Sequence, residues 1–310
     1  MTAPVLNPSS PLAEDMMPLN IIWFILSVGI FLFVTTWITL ALIKFRHRPG
    51  EERKAKKIFG NLRIEIIWTL IPLLIVIFLF ILTVRTMMKL DVPSGDRNAD
   101  IIVTGHQWWW EFQYPKSGVV TANEIHIPIN KKILLRVTSA DVIHSFWVPA
   151  LARKIDAIPG RENYIYFEAS KPGVYRGYCS EYCGTQHAGM RITAIAHTEE
   201  DYEAWVEQQL VVPPAPKQAL AAQGAKLFAE KTCYNCHTIA GTGATNNVGP
   251  DLTYVATRLT LGAGVLKNSP ENLAAWLHNP NDFKPGSHMP NFQLSQDDIK
   301  ALVAYLEGLK

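Results

Sequence analysis

The chain has 310 residues, 48% of them hydrophobic, with a formal net charge of +2. That length has room for two ordinary domains, and the uneven placing of the apolar residues says more than their average. Residues 85 to 310 carry 21 Lys/Arg against 22 Asp/Glu, so this part of the chain has no basic field of the kind that binds nucleic acid.

Residues 16 to 43 contain no charge and include LNIIWFILSVGIFLFVTTWITLALI, long enough to cross a hydrocarbon core of ~30 Å. A second span follows at residues 66 to 84, IIWTLIPLLIVIFLFILTV, where Pro72 predicts a kink that a packed membrane helix tolerates. The two helices are expected at about 19–43 and 64–86, within an anchor segment 1–90. Between them stand Lys44, Arg46, Arg48, Arg53, Lys54, Lys56 and Lys57, whereas residues 1 to 20 hold no Lys or Arg. The connection is therefore expected on the cytoplasmic side of a bacterial inner membrane, with both termini on the outer side. No basic run precedes the first span, which reads as a retained anchor and not as a cleaved signal peptide. No cysteine precedes Cys179, which excludes a lipid-modified N-terminal cysteine. Glu65, in RIEIIWT, falls in the first turn of the second helix; such an acid either serves only the helix dipole or marks a functional ionisable group at the membrane.

Within a domain expected over residues 91 to 210, residues 99 to 197 read as short strands rich in Ile, Val, Tyr and Phe. Ile125, Ile127 and Ile129, then Ile133, Leu135 and Val137, alternate with more polar neighbours as half-buried strands do. Turn signals such as Pro159-Gly160 and Pro172-Gly173 separate the runs, and the texture predicts a Greek-key β-sandwich closed by a helix over 199–210. The stretch GHQWWWEFQY concentrates aromatics, which on strands usually serve packing or a membrane interface, the reading kept for Trp109 and Trp110.

Within this domain CSEYCGTQHAGM places Cys179, Cys183, His187 and Met190 in one short loop. Two thiolates, an imidazole and a thioether suit copper better than a hard cation. Two thiolates can bridge two coppers, each metal then taking one further nitrogen and a weak axial ligand. The second imidazole must come from elsewhere, and His144, at the end of the strand-like KILLRVTSADVIHSFW, is the best placed. A Cys179–Cys183 disulfide would leave His187 and Met190 idle, and zinc rarely recruits methionine.

VVPPAPK, residues 211 to 217, is a Pro-rich linker, and residues 218 to 310 form a different, helical domain. Here CYNCH matches the covalent haem attachment pattern: Cys233 and Cys236 form thioethers and His237 supplies an axial nitrogen. No second cysteine pair follows that would complete a zinc site. Met289 is the only methionine after the motif and is the expected second axial ligand, with His278 and His288 as rivals. His/Met ligation gives a high potential. Ser295 and Asp298 make a capping box for the last helix. All four cysteines are thereby assigned.

These motifs, CSEYCGTQHAGM together with HSFWVP, DAIPGR and GHQWWWEFQY in the same order, resemble subunit II of cytochrome c oxidase and its dinuclear copper centre, CuA, over roughly residues 20 to 200. GSHMP resembles the methionine loop of small c-type cytochromes, so the whole is similar to subunit II of a caa-type haem-copper oxidase. The resemblance implies a cupredoxin fold, with His144, Cys179, Cys183, His187 and Met190 as side-chain copper ligands and the Glu181 carbonyl as a further one. It further implies that the Glu181 side chain reaches a magnesium ion bordering subunit I, that electrons arrive at Trp108, and that Glu65 marks a proton channel of subunit I. In the cytochrome family it implies that the Pro250 carbonyl holds the haem histidine. The expected function is the electron-accepting subunit of a proton-pumping cytochrome c oxidase that reduces oxygen to water, with haem passing electrons to copper and copper to the haems of subunit I. Expected partners are subunits I and III, the lipid bilayer, and an external donor: a soluble cytochrome, a cupredoxin, an iron–sulfur protein or a docked respiratory complex. Two other readings stay open. A copper chaperone for oxidase assembly needs one copper and no role for Trp108 or Glu181; a membrane-anchored cytochrome carrier needs no copper. A quinol oxidase subunit II would lack the copper ligands.

Overall fold

The computed structural model describes residues 4–46, 50, 59–93 and 98–310. Arg48, Arg53, Lys54, Lys56 and Lys57, on which much of the expected orientation rests, lie outside the described residues.

Two long apolar helices open the chain, α1 (Pro11–Lys44) and α2 (Leu62–Leu90). They run past the limits expected from hydropathy because polar caps extend them: Ser10 Oγ accepts from Ala13 N at 3.0 Å, and Asn61 Oδ1 accepts from Arg63 N at 3.1 Å and Ile64 N at 3.4 Å. Large apolar side chains stay exposed along both, among them Phe24, Phe31, Phe78 and Phe80, a surface suited to a membrane interior. The hydroxyls of Thr69, Thr83 and Thr86 each donate to the carbonyl four residues back, so these polar groups are satisfied within α2. Lys89 pairs with Asp15 at 2.5 Å.

The second region is a two-sheet β-sandwich. Its strands are β1 (Ile101–His106), β2 (Trp109–Tyr114), β3 (Val119–Ala122), β4 (Glu124–Pro128), β5 (Ile133–Ser139), β6 (His144–Trp147), β7 (Ile155–Ala157), β8 (Asn163–Phe167), β9 (Gly173–Cys179) and β10 (Arg191–His197). One sheet has the order β3-β2-β1-β5-β8 and the other β4-β10-β9-β6-β7. The pairs β1–β5 and β10–β4 are parallel; the remaining pairs are antiparallel. Val103, Phe112, Leu135, Val137, Phe146 and Ile192 fill the space between the sheets. Residues 9 and 10 strap onto this sandwich: Ser9 N donates to Ala150 O, Ser170 N to Ser9 O, and Ser10 Oγ to Leu151 O.

The expected alternation holds on β5 only from Leu135 onward, with Leu135 and Val137 in the core, because Leu134 is buried as well and Ile133 only half-buried; it fails on β4, where every residue is buried. The second face of β4 is covered as well. Helix α3 (Glu199–Leu210), capped by Thr198, lays Trp205 flat on His126 at 4.1 Å between ring centroids, and Glu124 is covered by Leu259 and Thr260.

The last region packs α4 (Ala219–Glu230), α5 (Pro270–His278) and α6 (Gln296–Leu306), with a small hairpin of β11 (Thr260–Leu261) and β12 (Leu266–Lys267). α4 and α6 cross at Gly224, where a Cβ would stand 2.0 Å from the Ala301 carbonyl oxygen, so only glycine permits the approach. The expected capping box of Ser295 and Asp298 forms at the start of α6. Leu227, Phe228, Ile299, Leu302 and Tyr305 make the core. This region and the sandwich belong to one compact unit.

Candidate metal and haem centres

Register brings the copper-type ligands together. β6 begins at His144 and pairs with β9, whose last residue is Cys179, through Phe146 and Cys179. The loop that leaves β9 returns at Met190, and Cys179 N donates to Met190 O at 3.0 Å, which closes the loop at its base. His187 sits in a one-turn 3₁₀ segment inside it.

The result is two like halves. Cys179 Sγ lies 3.9 Å from His144 Nδ1 and 3.3 Å from the Glu181 carbonyl oxygen; Cys183 Sγ lies 3.7 Å from His187 Nδ1 and 3.8 Å from Met190 Sδ. The two sulfurs are 3.8 Å apart and unbonded. Each half offers one thiol, one imidazole and one weak donor, the set two soft metal ions bridged by sulfur would take. His144, Cys179, Cys183 and Met190 are buried, while His187 is half-buried and Glu181 exposed.

Three residues that sequence reasoning missed shape the centre. Asp141 Oδ1 lies 2.8 Å from His144 Nε2, fixing the ring so that Nδ1 faces the sulfur. Burial lowers the basicity of His144, but its bonds to Cys179 and Asp141 outweigh that and hold it above its ordinary value. Gly105 on β1 leaves room for the same ring: a Cβ there would lie 2.8 Å from His144 Cδ2. Gly184, at φ +113°, turns the loop beneath Trp108. The hydrogen bond shared by the two thiols pulls Cys179 far below its ordinary pKa and, with burial, holds Cys183 above it.

In the helical region His237 Nδ1 donates to the Pro250 carbonyl at 2.7 Å, leaving Nε2 for an axial bond. Gly249 N donates to Cys236 O at 2.7 Å, and a Cβ on Gly249 would lie 2.7 Å from His237 Cε1, so the VGP segment presses flat against the ring. Burial lowers the His237 pKa, with the Pro250 bond acting in the opposite direction. A cavity of about 200 Å³ opens beside it, lined by Cys233, Cys236, His237, Met289 and the apolar Leu273, Leu277 and Phe292. Two thiols, an imidazole and a thioether on an apolar cavity fit a covalently held haem. Of the rivals to Met289, His278 is exposed and off the cavity wall; His288 lines it but has its ring against Trp108, with centroids 4.9 Å apart.

Trp108 belongs to both centres. Its Nε1 donates to the Cys183 carbonyl at 2.9 Å, as does Gln107 Nε2 at 2.8 Å, and the same indole lines the cavity of the helical region. Lys284, also buried, donates from Nζ to the Trp108 carbonyl at 2.7 Å; burial pushes its pKa down to about 7, against the pull of the Cys183 charge. Trp109 and Trp110 are buried packing residues, Trp110 in the sandwich core and Trp109 against Ala122 and Ala263. Glu181 is exposed, and Glu65 sits in the first turn of α2, over Gly60.

Family profiles match three stretches of the chain: "Cytochrome C oxidase subunit II, transmembrane domain" residues 5–85, "Cytochrome C oxidase subunit II, periplasmic domain" residues 117–197, and "Cytochrome c" residues 221–310. A cytochrome c oxidase subunit 2 of Alkalihalophilus pseudofirmus is 40% identical over 98% of this chain and 90% of its own length. One from Bacillus sp. (strain PS3) is 35% identical over 86% of this chain and 80% of its own. The crystal structure of the periplasmic domain of subunit II of cytochrome oxidase of Bradyrhizobium japonicum is 38% identical, with a TM-score of 0.36, covering 38% of this chain and 96% of that one. With all three regions matched in order and near-full-length relatives of one kind, the chain belongs to the cytochrome c oxidase subunit 2 family, in the form that carries a cytochrome c domain.

Proposed function

We propose that this subunit takes electrons from an external donor at a haem held by Cys233, Cys236, His237 and Met289, and delivers them by way of Trp108 to a copper pair for onward transfer to subunit I. The family brings a CuA centre and a haem c on a membrane-anchored chain with a periplasmic domain. Both groups supply reversible one-electron chemistry with no substrate bond to break. The division of labour follows residues 1–90 for the anchor, 91–210 for copper, 211–217 for the linker and 218–310 for haem.

His144 and His187 each hold an imidazole against one of the two thiolates, Cys179 and Cys183, while Met190 and the Glu181 carbonyl cap the two ends. Pro250 orients His237 through its carbonyl. The observation that carries the reading is the double membership of Trp108, hydrogen-bonded to the Cys183 carbonyl and lining the haem-side cavity. Trp108→Phe should leave reduction of the haem by its donor intact and strongly slow the following haem-to-copper step in rapid mixing of the whole oxidase. Equal speed in the mutant would return Trp108 to packing. Metal analysis adds a second check: two coppers and one haem per chain, where a copper chaperone would hold one copper.

Two outlying residues complete the assignment. The exposed Glu181 carboxylate binds magnesium together with subunit I, so Glu181→Gln should abolish the signal of a manganese ion substituted there. Glu65 serves proton uptake on the cytoplasmic side of a pumping oxidase. Glu65→Gln should then slow oxygen turnover while donor-to-copper transfer stays fast; unchanged turnover would leave Glu65 a helix-end residue.

A further inference from the structure

Besides the contacts of Lys284 and His288 with Trp108, and of Pro285 with Gln186, the haem domain meets the copper domain through a short projection. The hairpin of β11 and β12 turns through Gly262, Ala263 and Gly264, all three at positive φ (+60°, +61° and +81°). For alanine that conformation is disfavoured by roughly 1–2 kcal/mol, and it persists where surrounding structure holds it. Here the surroundings are residues of the copper domain. Ala263 is 2% exposed and packs on Trp109 and Ala122. Its carbonyl accepts from Arg191 N at 3.1 Å, and the Gly264 carbonyl accepts from Arg191 Nη1 at 3.1 Å.

At the base of the hairpin stands Glu124 of β4, 1% exposed. Its Oε1 accepts from Leu259 N at 2.8 Å, Thr260 N at 3.0 Å and Thr260 Oγ1 at 3.2 Å, and Oε2 lies 3.1 Å from Leu259 N. A carboxylate buried this fully is costly unless charge-assisted hydrogen bonds satisfy it, and every partner just named comes from the haem domain. The preceding residue, Arg258, lines the haem-side cavity; its Nε is buried with no hydrogen-bond partner among the described residues, and its charge acts on Glu124.

We infer that the hairpin Leu259–Lys267 is the docking finger that fixes the haem domain on the copper domain, and that Glu124 is its receptor. The fixed arrangement keeps Trp108 at the cavity wall, so Glu124 acts on the electron path as a positioning residue although it touches neither centre. The inference rests on the proposed haem-to-copper direction for its purpose, but its test is separate.

The experiment compares the intact oxidase with Glu124→Ala, Glu124→Gln and Thr260→Val, reading amide hydrogen exchange of a peptide spanning residues 259–267 alongside rapid-mixing transfer from haem to copper. The copper and haem spectra of each variant report that both domains are folded. Glu124→Ala leaves two backbone amides without a partner, and exchange in the hairpin should rise by about tenfold or more. Glu124→Gln keeps Oε1 and should recover most of the protection, while Thr260→Val, which removes one hydroxyl from the haem side only, should give a rise of about threefold. The fraction of fast transfer should fall in the same order. Unchanged exchange in Glu124→Ala overturns the docking finger, and so does a Glu124→Gln variant as loose as Glu124→Ala. Faster exchange with undiminished transfer supports the finger and counts against the proposed Trp108 route instead.

Discussion

Lys284 of the haem domain hands its ammonium to the main-chain carbonyl of Trp108, 176 residues earlier, at 2.7 Å. Its partner is a neutral carbonyl and not a carboxylate, so the contact carries a desolvation cost that depends on the proton. Burial lowers Lys284 to about 7 from 10.5. An undocked Lys284 would hold its proton up to about pH 10.4. Between those values the undocked form binds more protons than the docked one, so docking strengthens as pH rises through this window and is flat below about pH 7. The fraction of fast haem-to-copper transfer should rise between pH 7 and 9, and Lys284→Met should remove the slope.

Salt should matter little to the same step. The haem domain carries eight Lys/Arg against seven Asp/Glu over residues 217 to 310, which provides no steering field, and the charged groups Glu124 and Lys284 in its contacts are buried, where screening is weak. Transfer in the unmodified oxidase should be nearly equal at low and high ionic strength.

Cys183→Ser should destroy the mixed-valence copper spectrum while the haem spectrum survives. Cys183 stands between His187, Met190 and Cys179, and no atom of the haem attachment motif depends on it. Loss of both spectra together would show that the two domains do not fold independently.

Met289→Ala should leave the haem attached through Cys233 and Cys236 but lower its potential, because the thioether is lost and His237 remains. An unchanged potential would transfer the axial role to His288, and the tilted contact of that ring with Trp108 would then have to break on haem binding.

Gly105→Ala should distort the copper centre without replacing a ligand. The new methyl would fall 2.8 Å from His144 Cδ2, in a site walled by Trp110, whose ring centroid lies 5.8 Å from that of His144. Overpacking of this kind costs about 1–3 kcal/mol. The readout is an altered copper spectrum with an unaltered haem band.

What could be read from the sequence was what lies close along it. CSEYCGTQHAGM and CYNCH each complete most of a ligand set within one loop, so spacing alone exposes them. His144 was reachable as the histidine at the end of a strand-like run, although that run folds as two strands and His144 opens the second. Glu124 gave no such signal: in EIHIP it looked like the wet face of an alternating strand, and its partners are 135 residues away. Asp141 and Gly105 are common residue types whose roles appear only against the ring of His144. The strap at Ser9 and Ser10 was read as part of the anchor because its hydrogen bonds depend on the fold of residues 150–170 and on no pattern of its own.

The covering of Trp109 by Ala263 bears on anyone who would cut this chain at Leu210 to study copper alone. Such a fragment would carry an indole covered only on the side where His106 stacks on it, and a carboxylate that had lost four hydrogen-bonding contacts on β4, an edge strand of the other sheet. A newly uncovered apolar ring and a newly uncovered strand edge both invite self-association, and a soluble copper fragment would want a polar residue in place of Trp109.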